Sequence, residues 1–306
     1  MNFALNSVPA GAVAQLPPVN EADSGLTSWL LVDAALLDHR QLAWAVAASG
    51  WHTVNTLGGS RLEAFGDSAP HMIAMRGDPL AVSRGLERLV AIDRTAPAFS
   101  AFASSSSVEE LQRLFRYLGD ARIDQDMDAY CRFADTRVLP SLLALQTPEQ
   151  AERVGRSISV WKWFDRCEDV GQWVRPAPSP EPDLGDRIQL SAAQFDALLN
   201  ASEADALFTL LLDGTPELVP QAQRGQFHKR LCLFLNTAAT YCVTAPRDQV
   251  QFAVLSLTCG ESFHLHPQLA ATWVAIRKNG STLTEEMKSW TDALWATLEH
   301  QPATTP

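Results

Sequence analysis

The chain has 306 residues, a formal net charge of −11, and 46% hydrophobic and 19% charged residues. That length supports two domains and a sizeable core, and the composition is that of a globular chain, not a disordered one. The acidic balance, with no block of Lys and Arg, argues against a nucleic-acid or anionic-membrane surface, so neither is expected among the partners.

Cysteines 131, 167, 232, 242 and 259 form no C-x-x-C pair and no regular framework. Such a scattered, odd set reads as buried thiols in a reducing compartment. No apolar run approaches the roughly 18 residues needed to span a bilayer, and the N-terminus lacks the basic start and apolar core of a signal peptide. The expected location is the cytoplasm.

In chain order, residues 1–26 show no sustained period and read as a flexible N-terminal arm. Trp29 to Asp33 is a short apolar strand. Asp38 caps a helix with Leu42, Ala43, Val46 and Ala47 inward, stopped by Ser49-Gly50. Trp51 to Leu57 returns as a strand, Gly58-Gly59 turns, and His71 to Met75 is a further strand. Asp78 and Pro79 open a helix with Val82, Leu86, Leu89 and Val90 on its buried face. Ala98 to Ala103 is a short apolar run and leads through a serine tract to a helix capped by Ser107, with positions 108, 111, 114, 115 and 118 on one face. Glu109 and Glu110 suit the positive end of that helix. A strand is expected over 127–133, then a helix beginning near Thr136, then a half-buried strand over 158–165. Strands alternating with helices predict a mixed or parallel sheet covered by helices.

Arg175 to Asp183 carries prolines at 176, 178, 180 and 182, which favour extended backbone. Beyond it the period reads as helical. Ser191 caps a short helix carrying Phe195, Leu198 and Leu199. Phe227 to Cys242 is a long helix, and Val250 to Leu257 is a buried central one. Leu269, Trp273 and Ile276 form a stripe ended by Asn279-Gly280. Leu283, Met287, Trp290, Leu294 and Leu298 form the last. The fold class expected is an α/β N-terminal domain (a mixed sheet with flanking helices) followed by an all-α C-terminal domain. The expected bounds are an arm over 1–26, the α/β domain over 27–174, a Pro-rich linker over 175–186 and the helical domain over 187–306.

Chemistry is sparse. There is no Walker loop, no G-x-G-x-x-G and no G-x-S-x-G. Cys259, Glu261, His264 and His266 lie close in sequence and are all metal-ligand types. No spaced second pair accompanies them, His228 and Cys242 being better read as helix residues. No catalytic residue, metal site or cofactor is assigned, and the chain is expected not to be an enzyme. Arg132, Asp135 and Arg137 admit two readings: bidentate contact with an acidic partner segment, or an internal ion pair with Asp135 capping the next helix. The internal role is preferred. Trp161, Trp163 and Trp173 cluster before the proline-rich stretch, and one or more of them is a candidate interface anchor, the alternative being core.

The residues Ser107, Glu110, Leu111, Arg116 and Leu118, then Arg132, Phe133, Asp135, Arg137, Val138 and Leu139, then Trp161, Trp163 and Phe164, form an ordered series. Together with Trp29 to Ala35 and Ala69 to Ile73, that series resembles the adaptor (chaperone) family of bacterial type VI secretion, first catalogued as a domain of unknown function. The resemblance covers residues 28–170. It extends more weakly to Gly260-Glu261-Ser262-Phe263 and His266-Pro267. The chain departs from the family at Thr136, where proline is common, and at Asp124-Gln125-Asp126, where an Asp-Gly hairpin is common.

The resemblance implies a non-enzymatic adaptor that stays in the bacterial cytoplasm. It would bind one toxic effector protein through its N-terminal segment, clamped between two unlike lobes, and help load it onto the spike protein at the needle tip. Two alternatives stand beside it: a metal-dependent hydrolase using the 259–266 cluster, and a scaffold that binds only secretion machinery.

Overall fold

The computed structural model describes residues 3–18, 25–124, 126–177 and 183–299. The chain divides into two compact units, the first ending at Ser202 and the second beginning at Glu203.

The first unit is built on a six-stranded sheet in the order β2-β3-β1-β4-β7-β8. Its strands are β1 (Thr27–Val32), β2 (Thr53–Asn55), β3 (His71–Ala74), β4 (Phe99–Ser104), β7 (Val160–Phe164) and β8 (Val170–Val174). Every pairing in it is antiparallel. A second sheet, order β6-β5-β9, joins β5 (Asp120–Ile123), β6 (Met127–Tyr130) and β9 (Ile188–Leu190), and it is mixed, since β5 and β9 run parallel.

Both faces of the large sheet are covered. Trp29, Leu31, Phe102, Trp161 and Trp163 point into one core, and Leu30, Val32, Phe99, Ala101 and Phe164 into the other. The central strands β1 and β4 are therefore buried almost throughout instead of alternating between buried and exposed residues. The first core is closed by α3 (Val108–Gly119), α4 (Leu139–Ala144) and α5 (Pro148–Ser157). The second is closed by α1 (His39–Ala48) and α2 (Pro79–Val90).

Helix starts are set locally. Asp38 and Asp78 accept from the amides of Gln41 and Ala81, and Ser107 forms a reciprocal capping box with Glu110. Each such cap contributes about 1 kcal/mol. Buried Leu111, Leu114, Phe115 and Leu118 then hold α3 on the sheet, each side chain adding roughly 1.5–3 kcal/mol.

Several expectations are corrected by tertiary packing. The described part of the N-terminal arm is not loose: Phe3, Leu5, Val13 and Leu16 are buried in the second core, and the amides of Asn6 and Val8 bond to Arg166 O and Arg94 O. On α1 the inward residues are Leu42, Ala45 and Val46, while Ala43 and Ala47 are exposed. The strand expected from Trp51 shrinks to Thr53–Asn55 because Trp51 is buried beneath α2, its indole donating to Arg76 O at 3.1 Å. The strand expected over 127–133 ends at Tyr130 and is the second arm of a hairpin whose first arm, β5, carried no periodic signal. Of its turn, Asp124 is left-handed at φ 46° and Gln125 lies outside the described residues.

The proline-rich stretch does not divide the units. Residues 178–182 of it lie outside the described residues, and beyond them β9 pairs with β5 inside the first unit. The helix capped by Ser191 is not short but α6 (Ala192–Gly214), whose opening turns also belong to the first unit.

The second unit is helical: the rest of α6, α7 (Arg224–Thr240), α8 (Pro246–Thr258), α9 (Ala270–Asn279), α10 (Leu283–Met287) and α11 (Asp292–Glu299). Phe252, Phe263 and Trp273 meet at its centre, with ring centroids 5.0–6.3 Å apart. Buried Asp248 accepts from the amide and hydroxyl of Thr284 at 3.0 and 2.7 Å, tying the start of α8 to α10. The last apolar stripe is two helices, because Thr291 starts a new one by capping Leu294 N. Among the described residues no helix is long and apolar enough to cross a membrane.

Candidate functional site

Arg132, Asp135 and Arg137 are brought together in the loop between β6 and α4. Asp135 is buried, and its Oδ1 accepts from the backbone amide and the Nε of Arg137 at 2.9 and 3.0 Å, while Oδ2 takes Arg137 Nη2 at 2.6 Å. This is a two-pronged guanidinium–carboxylate contact closed on itself by a backbone bond. Arg132 Nη2 donates to Asp33 Oδ2 at 2.9 Å and lies 3.8 Å from Asp135 Oδ2.

Asp33 is the member that sequence reading missed. It follows β1 directly and caps the short turn Ala34–Leu36 by accepting from Ala35 N. An aspartate at the end of an apolar strand, followed by a small-residue turn, is the signal that marks it. Burial pushes its carboxyl above the ordinary aspartate value, and the Arg132 guanidinium offsets part of that rise. Around this node, Asp33 N bonds to Ala98 O, Thr136 N bonds to Pro97 O, and the Arg137 guanidinium stands 4.8 Å over the Phe3 ring.

The node therefore joins the end of β1, the approach to β4, the loop 131–138 and the N-terminal segment. Asp33 and Asp135 side chains are 3% and 1% exposed, whereas Arg132 and Arg137 are 38% and 19% exposed. The carboxylates face inward and take up the guanidinium donors, which is the geometry of an internal tie. Asp135 does not cap a helix beginning at Thr136. It closes a turn, its carbonyl accepting from Val138 and Leu139, and α4 starts at Leu139.

Trp161 and Trp163 are core residues, not surface anchors. Trp161 is fully buried, donates to Ser100 Oγ at 3.0 Å and packs on Phe102 and Phe115. Trp163 lies flat against Gly171, where a Cβ would sit 2.6 Å from its Nε1. Trp173 is half-buried against the first core and keeps part of its surface open. The most exposed tryptophan on the large-hydrophobic surface is Trp44 of α1, at 66%.

A groove of about 490 Å³ runs between α3, α5 and residues 183–186, lined by Arg113, Arg153 and Arg156 with Glu110, Asp183 and Leu184. The Arg153 guanidinium stands 4.2 Å over the Tyr117 ring and donates to Asp183 O at 2.7 Å; the Tyr117 hydroxyl donates to Asp183 Oδ2 at 2.7 Å. Burial and this carboxylate raise the Tyr117 pKa, so the phenol stays a donor at any working pH. Arg156 pairs with Glu152 at 3.2 Å. Arg113 projects from the exposed side of α3. Sequence reading did not assemble this groove, because Arg113 and Arg153 come from separate helices and Leu184 follows the proline-rich stretch.

In the second unit the 259–266 cluster does not converge. Cys259 is buried and continues α8 by donating to Leu255 O, and Glu261 pairs with Arg230 at 2.8 Å. The His264 ring packs against Tyr241, Phe252 and Phe263, and burial lowers its pKa. Among the described residues no three His, Cys, Asp or Glu side chains are grouped to hold a metal ion.

No curated protein and no solved structure matches the chain. Residues 28–153, which contain the Asp33–Arg132–Asp135–Arg137 node and half of the residues lining the groove, match the family described as "Domain of unknown function (DUF4123)", a domain associated with type VI secretion effector adaptors.

Proposed function

We propose that the chain is a non-enzymatic adaptor that binds one type VI secretion effector in the bacterial cytoplasm and helps load it onto the spike protein. The family match over residues 28–153 is the observation that carries this reading. The groove between α3 and α5 supports it further. It is open, with exposed Arg113 on one wall and exposed Leu184 on its rim, while Arg153 and Arg156 are engaged with Asp183 and Glu152. The Arg113 fork suits a carboxylate side chain of a bound segment, and the exposed leucine suits an apolar neighbour of it.

The test is co-purification of the tagged full chain from its native host, followed by mass spectrometry of what stays bound. One toxin-like protein, with or without the spike, is the expected result. Spike or baseplate components alone would replace the adaptor reading with a scaffold, and an empty capture would refute both. Arg113→Glu, on the exposed side of α3, is expected to weaken effector capture by about ten-fold or more with an unchanged melting temperature.

A further inference from the structure

The six-stranded sheet has two edges, and they are treated differently. β2, at one edge, has three residues, and its Asn55 side chain is tied to Gly66 O. In the small sheet, the outer strand β6 carries Asp128, engaged by Arg61 and Arg187. Shortness and charge are the usual protections of an open edge. β8, at the other edge of the large sheet, has neither: Val170-Gly171-Gln172-Trp173-Val174 is five residues long, uncharged and free of proline.

The register of the β7–β8 hairpin shows which backbone groups face outward. Asp165 N donates to Asp169 O and Arg175 N to Ser159 O, so the odd-numbered residues of this strand bond into the sheet. Val170, Gln172 and Val174 consequently turn their amides and carbonyls away from β7. Gln172 is exposed and Val174 is 57% exposed.

This edge is complementary to itself. In an antiparallel pairing centred on Gln172, outward residues oppose outward residues, as a ladder requires. Val170 then faces Val174 of the second copy, Gln172 faces Gln172, and Asp169 faces Arg175. Asp169 is exposed, and Arg175, which touches Glu152 at 3.4 Å, keeps about two-fifths of its side chain open. The two-fold operation therefore makes two apolar cross-strand pairs and two opposite-charge pairs, each of a kind that stabilises sheet pairing.

We infer that the chain self-associates through β8, two copies pairing antiparallel about Gln172 so that their large sheets join into one of twelve strands. This goes beyond the adaptor reading and does not depend on it. The opposing charges set the register, since a shift by two residues would separate Asp169 from Arg175.

The test uses the full chain in sedimentation equilibrium, from low micromolar to the highest soluble concentration. The expected result is a concentration-dependent rise from 33.5 kDa towards twice that mass. Gln172→Lys places like charges opposite each other at the two-fold axis and is expected to weaken association by about ten-fold or more, with the melting temperature unchanged.

Under mild oxidation, Gln172→Cys is expected to give a covalent dimer, because directly opposed residues stand about 5.5 Å apart at Cα, within disulfide reach. Val174→Cys is expected to give no more cross-linking than the parent chain, its own copies being roughly 14 Å apart. A monomer at every concentration would overturn the inference. So would a dimer that survives Gln172→Lys, or one that cross-links equally at both positions.

Discussion

Arg137→Ala removes the fork that neutralises Asp135 and leaves the carboxylate in place. That carboxylate is 1% exposed and loses contacts at 3.0 and 2.6 Å. Stranding one partner of a buried ion pair costs about 3–5 kcal/mol. Two contacts soften the loss: the residue-137 amide still donates to Asp135, and Arg132 stands 3.8 Å away. The stacking of the guanidinium on Phe3 is lost as well, worth about 0.5–1 kcal/mol. The expected destabilisation is about 3 kcal/mol. At roughly 2–4 °C per kcal/mol for a unit of this size, the melting temperature should fall by about 6–12 °C.

Thermal denaturation followed by fluorescence reads this directly, with capture of the effector measured on the same samples. Adding Asp135→Asn to the variant neutralises the stranded charge and should recover part of the loss. An unchanged melting temperature together with lost capture would refute the internal-tie assignment and make Arg137 a partner contact.

Gly85→Ala sets helix propensity against packing. Alanine gains about 1 kcal/mol in a helix interior, but its Cβ would sit 2.5 Å from the Trp51 ring, which is held by its bond to Arg76 O. Net destabilisation of about 1–2 kcal/mol is expected, changing to stabilisation on a Trp51→Leu background, and urea titration of the four-member cycle checks both signs. Asp33 has a folded-state pKa above its ordinary 3.8 because of burial. Its contribution to stability is thus fully present below that value and is lost as pH rises through the folded-state pKa. The stability difference between the parent and Asp33→Asn should follow that slope, and a flat or opposite difference curve would contradict the assignment. Glu168 sits at φ 74° in the β7–β8 turn. Glu168→Gly is expected to stabilise by about 0.5–1 kcal/mol in the same denaturation assay, and a loss would show that the side chain compensates for its backbone.

What the sequence determined by itself is what lies within a few residues along the chain. Asp38, Asp78 and Ser107 marked helix starts because a cap is satisfied by an amide three residues on. The stripe at 111, 114, 115 and 118 marked a buried face because helical neighbours recur at that spacing. The ordered motifs over residues 28–170 pointed to the family whose model matches residues 28–153.

Tertiary structure alone decided matters that depend on distant pairing. Strand polarity was one, since the six-stranded sheet is antiparallel throughout where alternation of strands and helices had allowed a parallel one. β5 and β9 were invisible because Asp120–Ile123 and Ile188–Leu190 carry only two apolar residues each and are fixed by their partners. Trp161 and Trp163 share a strand face in either reading, and only the helices laid over that face make it core. The node unites Asp33 with Arg132 across 99 residues, and the groove unites Arg113 with Arg153 from two helices. A side chain's type and spacing fix what it can bond to, but burial and long-range register fix which partner it meets, and those come from packing the sheet.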